Sequence, residues 1–153
     1  MVEDVRELDL SPDVVKLLID VWGIERLHPP QAEAMPIALS GQNLLLAIPT
    51  ASGKSLVAYL AMLQRLLVDS PGSRAFYLVP LKALAAEKVD ELRQAGDLLG
   101  LSVGMAIGDR SGETVSLDEA DIIVATSEKF DSLMRNRDDF LSQVSIVVAD
   151  EVH

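Results

Sequence analysis

A strand, a loop of small residues and a helix are predicted one after another in the first half of this chain, and this order constrains the fold more than any other feature. The apolar run at residues 44–48 predicts a buried strand, and residues 56–67 predict a helix. Between them, residues 49–55 read Pro-Thr-Ala-Ser-Gly-Lys-Ser, which is the layout of a phosphate-binding P-loop. Such a loop turns backbone N–H groups inward, and the positive end of the following helix adds attraction for a polyphosphate.

The residues of this loop have separate roles under the P-loop hypothesis. Lys54 would reach the β- and γ-phosphates, and the Ser55 hydroxyl would ligate Mg²⁺. The usual pattern begins with Gly, whereas Ile48 holds that position here, so the match is imperfect. The alternative is an ordinary helix N-terminus capped by Ser52 or Ser55, which leaves unexplained why a strand leads straight into the loop. The candidates to line the phosphates are Thr50, Ala51, Ser52, Gly53, Lys54 and Ser55.

A second apolar run ends in two adjacent acids. Residues 145–149 predict a strand, and Asp150 and Glu151 follow it directly. In P-loop enzymes an acid at the carboxyl end of a neighbouring strand holds the Mg²⁺ shell, and an adjacent Glu orients or deprotonates the attacking water. We therefore assign Asp150 to Mg²⁺, partly through water, and Glu151 to the water, with Lys54 as the third catalytic residue. The alternative for two acids after a strand is a solvated turn.

The composition limits the class of protein. With 153 residues and 49% hydrophobic residues, the chain is one domain or part of one and is not disordered. It has no cysteine, no apolar run long enough for a membrane span and no secretory signal, so we expect a cytoplasmic protein without membrane contact. The net charge of −11 argues against a broadly basic nucleic-acid-binding surface, although a narrow groove remains possible.

Predicted strands and helices alternate along the rest of the chain. The strands are continuous apolar runs, which is the pattern of a parallel sheet buried on both faces. We therefore expect an α/β fold with a doubly wound, mostly parallel sheet and with ligands at the carboxyl ends of the strands. Helices are predicted at residues 12–22, 30–39, 56–67, 81–99 and 127–135, and strands at residues 44–48, 75–79, 103–107, 121–125 and 146–148.

Several short segments occur in the order and at the spacing of helicase motifs. The chain resembles the first RecA-like domain of a superfamily 2 DExH-box helicase, with the archaeal DNA-repair helicases related to the helicase domain of polymerase theta as the nearest branch. The resemblance divides residues 1–153 into a helical Q-motif region at 1–40 and a P-loop core at 41–153. The segments are 27–34 for the Q motif, 47–55 for motif I, 79–85 for motif Ia, 108–109 and 123–129 for the next motifs, and 150–153 for motif II.

The resemblance also implies roles for individual residues. Gln31 would present its amide to the adenine edge, the alternative being a polar residue in the first turn of a helix. Lys82 stands where many relatives have Arg, so its phosphate contact becomes a point-charge contact; the alternative is a solvated charge. His153 would couple the nucleotide state to the nucleic acid. The candidates to contact one nucleic-acid strand are Pro80, Lys82, Gly108, Thr126 and Ser127, where Gly108 can alternatively make a simple turn.

The implied activity is that of an ATP- and Mg²⁺-dependent helicase or translocase. The resemblance implies a DNA-repair enzyme that acts 3′-to-5′ on single-stranded or forked nucleic acid, with DNA favoured over RNA. An RNA helicase of the superkiller-like branch is the alternative within helicases. A P-loop kinase for a small molecule and a non-catalytic nucleotide-binding module are the alternatives from other classes.

The position of motif II, at residues 150–153, carries a further expectation. The family's second RecA-like domain supplies arginine fingers, which are worth ~10³–10⁵ in rate. We therefore expect a C-terminally truncated domain that binds ATP–Mg²⁺ weakly, hydrolyses it negligibly on its own and has an unpaired sheet edge.

Overall fold

The computed structural model describes residues 1–47, 53–108, 117–136 and 138–151, and for residues 138, 140 and 141 it describes the backbone alone. These residues group into two compact units, one formed by Met1–Asp69 and the other by Ser70–His153. No helix in the described ranges is long and apolar enough to cross a membrane.

The first unit is helical. Helix α1 (Pro12–Lys16) begins at Ser11, whose hydroxyl accepts a hydrogen bond from the Val14 N–H at 3.3 Å, and it continues as a π-helical segment through Leu17–Val21. A serine cap followed by proline is a strong helix start, which explains why the sequence located this helix well. Two longer helices follow, α2 (Pro29–Ser40) and α3 (Lys54–Gln64), and α3 is extended by a π-helical segment at Arg65–Asp69.

Helices α2 and α3 contact each other and bury the core of this unit. Met35 on α2 and Leu60 and Leu63 on α3 are essentially fully buried. The Trp22 ring lies 5.8 Å, centroid to centroid, from the ring of Tyr59 on α3. Trp22 thus serves the core of the helical unit, as its apolar helical surroundings indicate.

The predicted strand at residues 44–48 is wrong over the part that the structure describes. Residues 42–47 form no regular element, and the side chains of Leu44 and Leu45 are 38% and 86% exposed. Strand preference reflects packing against neighbouring strands more than an intrinsic property of the backbone. The apolar run finds no partner strand among the described residues, so its composition alone does not make it a strand. Ile48 lies outside the described residues.

The second unit contains a four-stranded sheet in which every strand pair is parallel. The strands are β1 (Arg74–Val79), β2 (Val103–Ala106), β3 (Ile122–Thr126) and β4 (Val144–Ala149), in the spatial order β2-β3-β1-β4. The predicted strands of this unit are confirmed, with ends that differ by one or two residues. Because all strands run in the same direction, their carboxyl ends lie along one edge of the sheet.

Three helices accompany this sheet. Helix α4 (Lys82–Leu99) contacts β1, β2 and β3, and it ends at Gly100, whose φ is 74°. Helix α5 (Ser127–Asn136) brings Phe130 against Phe76 of β1, with ring centroids 4.9 Å apart. A short helix α6 (Asp138–Gln143), which the sequence analysis did not predict, precedes β4. Six residues give too little periodicity to distinguish a helix from a loop.

Strand β4 lies at the end of the strand order, and its outer side has no strand partner among the described residues. Val147 on this strand is 46% exposed, whereas every residue of β1 after Arg74 is buried.

The amino edge of the sheet is fastened by one guanidinium group. Arg74 Nε donates to Gln143 Oε1 at 2.6 Å, and Nη1 donates to the carbonyl oxygens of Leu117 at 2.8 Å and Ala120 at 2.6 Å. Nη2 donates to the carbonyl oxygen of Asp118 at 2.5 Å. One side chain at the start of β1 thus holds α6 and the turn before β3 together.

Candidate nucleotide-binding and nucleic-acid-binding sites

Helix α3 starts at the end of the predicted P-loop. Gly53 precedes the helix with φ at 71°, and its carbonyl oxygen accepts a hydrogen bond from the Leu56 N–H at 3.1 Å. Lys54 and Ser55 are the first two residues of the helix, and both are partly exposed. They therefore lie in the turn where unpaired backbone N–H groups and the helix dipole attract an anion. Thr50, Ala51 and Ser52 lie outside the described residues.

Gln31 is a buried polar side chain of the first unit, with 4% of its surface exposed. Its Oε1 accepts from the His28 N–H at 2.8 Å, and its Nε2 donates to the Gly53 carbonyl oxygen at 2.9 Å. The carboxamide therefore connects the start of α2 to the start of α3. An amide has two N–H bonds and two acceptor lone pairs, so one of each has no partner among the residues that the structure describes, and the contact with adenine stays a prediction.

The approach of Gln31 to Gly53 leaves no space for a side chain at residue 53 unless the Gln31 amide moves. A Cβ atom built on Gly53 would collide with Gln31 Nε2. The positive φ of Gly53 is also a conformation that favours glycine. The backbone conformation and the close contact both favour glycine at residue 53, and Gln31 is too far along the chain for the contact to leave a local sequence signal.

Asp150 is fixed at the carboxyl end of β4 by contacts to β1 and α4. Its N–H donates to the Leu78 carbonyl oxygen at 3.0 Å, which extends the pairing with β1 by one bond. Its Oδ2 accepts from the Tyr77 hydroxyl at 2.8 Å and lies 4.0 Å from the ammonium nitrogen of Lys88. The Asp150 side chain is 11% exposed. The sequence motif located this acid at the edge, but it did not predict Tyr77 or Lys88.

Glu151 has a left-handed backbone conformation, with φ at 54°. This conformation is unfavourable for a residue with a Cβ by roughly 1–2 kcal/mol. The Glu151 N–H donates to Asp150 Oδ1 at 2.9 Å, so the carboxylate of one acid stabilises the bend that holds the next. Strained backbone persists where the surroundings enforce it, and such residues cluster at functional sites. The structure therefore distinguishes the two adjacent acids by their backbone conformation.

The oxygen atoms of Ser55 and Asp150 suit Mg²⁺. This ion takes oxygen ligands, retains several waters and is usually bound by one or two carboxylates together with substrate phosphates. Within the described ranges there is no group of three or more His, Asp or Glu side chains that could hold a metal by protein ligands alone. The donor set thus fits an ion that arrives with a nucleotide. Ser55 belongs to the first unit and Asp150 to the second, and their convergence on one ion stays a prediction.

The candidate nucleic-acid contacts lie along the carboxyl edge of three adjacent strands. Pro80 follows β1, Gly108 follows β2 and Thr126 ends β3, and β2, β3 and β1 are neighbours in the sheet. Thr126 is paired with Val79, so it lies next to the start of the Pro80 turn. The structure thus brings these three residues to one edge.

Lys82 and Ser127 complete this set from the first residues of α4 and α5. A Cβ built on Gly108, whose φ is 105°, would lie 3.5 Å from Lys82 Nζ, so the lysine passes directly beside the glycine. Thr126 Oγ1 accepts from the Lys129 N–H at 3.4 Å and caps α5, which leaves the hydroxyl hydrogen to donate elsewhere. Pro80, Lys82, Gly108 and Ser127 are exposed, and Thr126 is partly exposed. His153 lies outside the described residues.

Comparison with protein families gives one match over most of the chain. Residues 28–153 match the model of the DEAD/DEAH box helicase family. Curated proteins similar to this chain include three named ATP-dependent DNA helicase Hel308. The protein of Thermococcus kodakarensis is 52% identical over 91% of this chain, that of Methanocella arvoryzae 51% over 97%, and that of Pyrococcus abyssi 48% over 97%. This chain spans 12% of the length of the first and 20% of the other two.

Solved structures of helicases share the fold. A hypothetical ATP-dependent RNA helicase from Sulfolobus tokodaii superposes with a TM-score of 0.75 over 92% of this chain and 41% of its own, at 21% identity. The DUF1998 helicase MrfA bound to DNA and AMPPNP superposes with a TM-score of 0.77 over 97% of this chain and 22% of its own, at 23% identity. The expected α/β fold of RecA-like type is therefore confirmed.

Proposed function

Because this chain belongs to the DEAD/DEAH box helicase family, we propose that it forms the ATP-binding part of an ATP-dependent DNA helicase. The observation that carries the proposal is the start of α3, where Gly53 at positive φ places Lys54 and Ser55 in the anion-attracting first turn. A lysine and a hydroxyl at this position suit a polyphosphate and its metal, and few other ligands would fit them equally well.

The proposal assigns a separate task in ATP binding to each candidate residue. Gly53 and Lys54 hold the phosphates, together with Thr50, Ala51 and Ser52, and Gln31 contacts adenine. Ser55 and Asp150 hold Mg²⁺, which when bound neutralises charge on the β- and γ-phosphate oxygens. Glu151 orients the attacking water and accepts its proton. The fixed position of Asp150 and the separate backbone conformation of Glu151 support different tasks for these neighbouring acids.

The edge formed by β2, β3 and β1 is the proposed path of one nucleic-acid strand. Lys82, Thr126 and Ser127 contact its phosphates, while Pro80 and Gly108 shape the path. Phosphate contacts position a strand without reading its sequence, which is what a translocating motor requires. The net charge of −11 disfavours a broadly basic binding surface, so the proposal limits the phosphate contacts to this narrow edge. The names of the Hel308 relatives favour DNA as the substrate. Repair as the context and 3′-to-5′ movement on single strands or forks are proposed from the resemblance of the sequence motifs alone.

The remaining partner in the proposal is a second RecA-like domain of the same polypeptide. It closes over ATP and supplies a cation to the transition state, so the 153-residue chain alone binds ATP weakly and turns it over negligibly. His153 couples the nucleotide state to the nucleic acid. Within this scheme residues 1–40 form the Q-motif region and residues 41–153 the P-loop core.

Nucleotide binding by the 153-residue chain tests this proposal. A fluorescent ATP analogue should bind in the presence of MgCl₂, and Lys54→Ala should weaken its binding at least about tenfold because the phosphates lose a charge-assisted contact. Lys16→Ala is the matched control, since it removes one exposed helical charge elsewhere in the same unit. Equal binding by the Lys54→Ala and control chains would remove the nucleotide site.

The nucleic-acid part of the proposal is tested with a protein that also contains the proposed second RecA-like domain. Single-stranded DNA should stimulate its ATPase activity, and Lys82→Ala should raise the DNA concentration needed for half-maximal stimulation without reducing nucleotide affinity. Preferential stimulation by single-stranded RNA of the same sequence would assign the enzyme to the RNA-directed alternative.

A further inference from the structure

We propose that Lys88 is the counter-ion of Asp150 in the metal-free protein and thereby sets the Mg²⁺ concentration at which the nucleotide site fills. In this role Lys88 is a positioning residue that acts through Asp150. The inference rests on the proposed function, since it takes Asp150 as a ligand of Mg²⁺.

The geometry around the Asp150 carboxylate carries the inference. Oδ1 accepts from the Glu151 N–H at 2.9 Å, and Oδ2 accepts from the Tyr77 hydroxyl at 2.8 Å. The Lys88 ammonium lies 4.0 Å from the same Oδ2. Two of these three neighbours are neutral hydrogen-bond donors, and Lys88 alone among them carries a charge. Its positive charge is of the same sign as the ion that Asp150 is proposed to hold.

Lys88 is held in this place by the packing of α4. Ala85 and Leu92, one turn before and one turn after it, are fully buried. The Lys88 side chain is itself 13% exposed, and its ammonium nitrogen lies 5.9 Å from the centroid of the Tyr77 ring. A lysine stem lying beside a buried helix face and against an aromatic ring has little freedom to swing into solvent.

The limited exposure gives this charge its effect. Charges that are 13% and 11% exposed are screened much less by salt and water than a surface pair. A cation already beside a carboxylate lowers the attraction of that carboxylate for a second cation. Removal of the Lys88 charge should therefore strengthen Mg²⁺ binding. Tyr77, as a neutral donor, orients the carboxylate without opposing a metal.

The test is the Mg²⁺ dependence of nucleotide binding by the 153-residue chain. The affinity for a fluorescent ADP analogue is measured across a series of MgCl₂ concentrations, and the midpoint of the affinity gain is compared between variants. We expect Lys88→Met to lower the midpoint by about tenfold, since it keeps most of the stem and removes the charge. Lys88→Arg keeps the charge and should stay within about twofold of the original midpoint. Lys16→Met is the control for loss of an exposed charge.

Fold integrity is checked by thermal unfolding of each variant. Removing one partner of a poorly exposed ion pair can destabilise a protein, so Lys88→Gln, which keeps a hydrogen-bond donor, replaces Lys88→Met if that variant does not fold. A folded, neutral variant whose midpoint equals that of the original chain overturns the role of Lys88 and leaves the proposed function intact. Absence of any Mg²⁺-dependent nucleotide binding by the original chain removes both.

Discussion

The two candidate ligand-binding regions, one in each unit, are built by different means. At the start of α3, the structure depends on backbone: Gly53 adopts a positive φ, its carbonyl oxygen is held by the neutral amide of Gln31, and an added Cβ would have to displace that amide. At the end of β4, the structure depends on side chains: the Asp150 carboxylate is held by the Tyr77 hydroxyl and faces the Lys88 ammonium. The volume of a new side chain should therefore decide which substitutions the start of α3 tolerates. Hydrogen bonding and charge should decide which substitutions the end of β4 tolerates.

This difference predicts how each of the two regions responds to substitution. A backbone-built site fails when volume is added, even if the added group is apolar and small. A site built from side chains tolerates changes of volume at its edges but responds to the loss of a single donor or charge. Three substitutions, taken in order of expected effect, test this difference.

Gly53→Ala should have the largest effect on stability. The new Cβ combines an unfavourable backbone conformation with displacement of the Gln31 amide from its hydrogen bond to Gly53, and we expect a loss of about 2–3 kcal/mol in the free energy of unfolding. Gly23→Ala is the matched control, because Gly23 also has a positive φ, of 67°, but has no atom within 4 Å of the added Cβ. The control should lose only about 1 kcal/mol. Urea unfolding of both variants measures the difference, and equal losses would show that the close approach of Gln31 is unimportant.

Tyr77→Phe should have an intermediate effect. It keeps the buried ring and removes the hydroxyl that donates to Asp150, so we expect a loss of about 1–2 kcal/mol in the free energy of unfolding, the range for hydrogen bonds to a charged acceptor. A double-mutant cycle with Asp150→Ala identifies the partner. The hydroxyl should contribute little once the carboxylate is gone, and an undiminished loss in the Asp150→Ala background would assign the effect to another contact of Tyr77.

The smallest effect is expected at Glu151. Because φ is 54° there, Glu151→Gly should be more stable than Glu151→Ala by about 1 kcal/mol, the reverse of the order in a helix or strand. Thermal unfolding of the two variants measures this difference, which does not depend on any ligand. If the alanine variant is as stable as the glycine variant, the backbone at residue 151 is not strained.

The sequence predicted those parts of the fold that depend on local patterns. The Ser11 cap, the glycine after α4 and the apolar runs of β1, β2, β3 and β4 each act within a few residues, so their elements were located to within one or two positions. The run at residues 44–48 was misassigned over its described part because a strand needs a partner, and apolar composition does not provide one.

The sequence predicted the positions of those candidate site residues that belong to a recognisable motif. The Gly-Lys-Ser and Asp-Glu motifs placed Lys54, Ser55 and Asp150 at the ends of the elements where the structure has them. The residues that hold these groups gave no signal, since Tyr77 is 73 positions from Asp150 and Gln31 is 22 positions from Gly53. Such contacts depend on how the helices and strands pack, which a pattern read along one chain does not contain.

The position of Arg74 helps to interpret the effects of substitutions in this protein. Its guanidinium gathers four acceptors at the amino rim of the sheet, while every candidate ligand contact of the second unit lies at the opposite rim. A substitution of Arg74 should therefore lower the amount of folded protein without altering ligand binding by the molecules that do fold. A substitution at the exposed Lys82 should do the opposite, so the two edges of the sheet separate defects in the amount of folded protein from defects in its function.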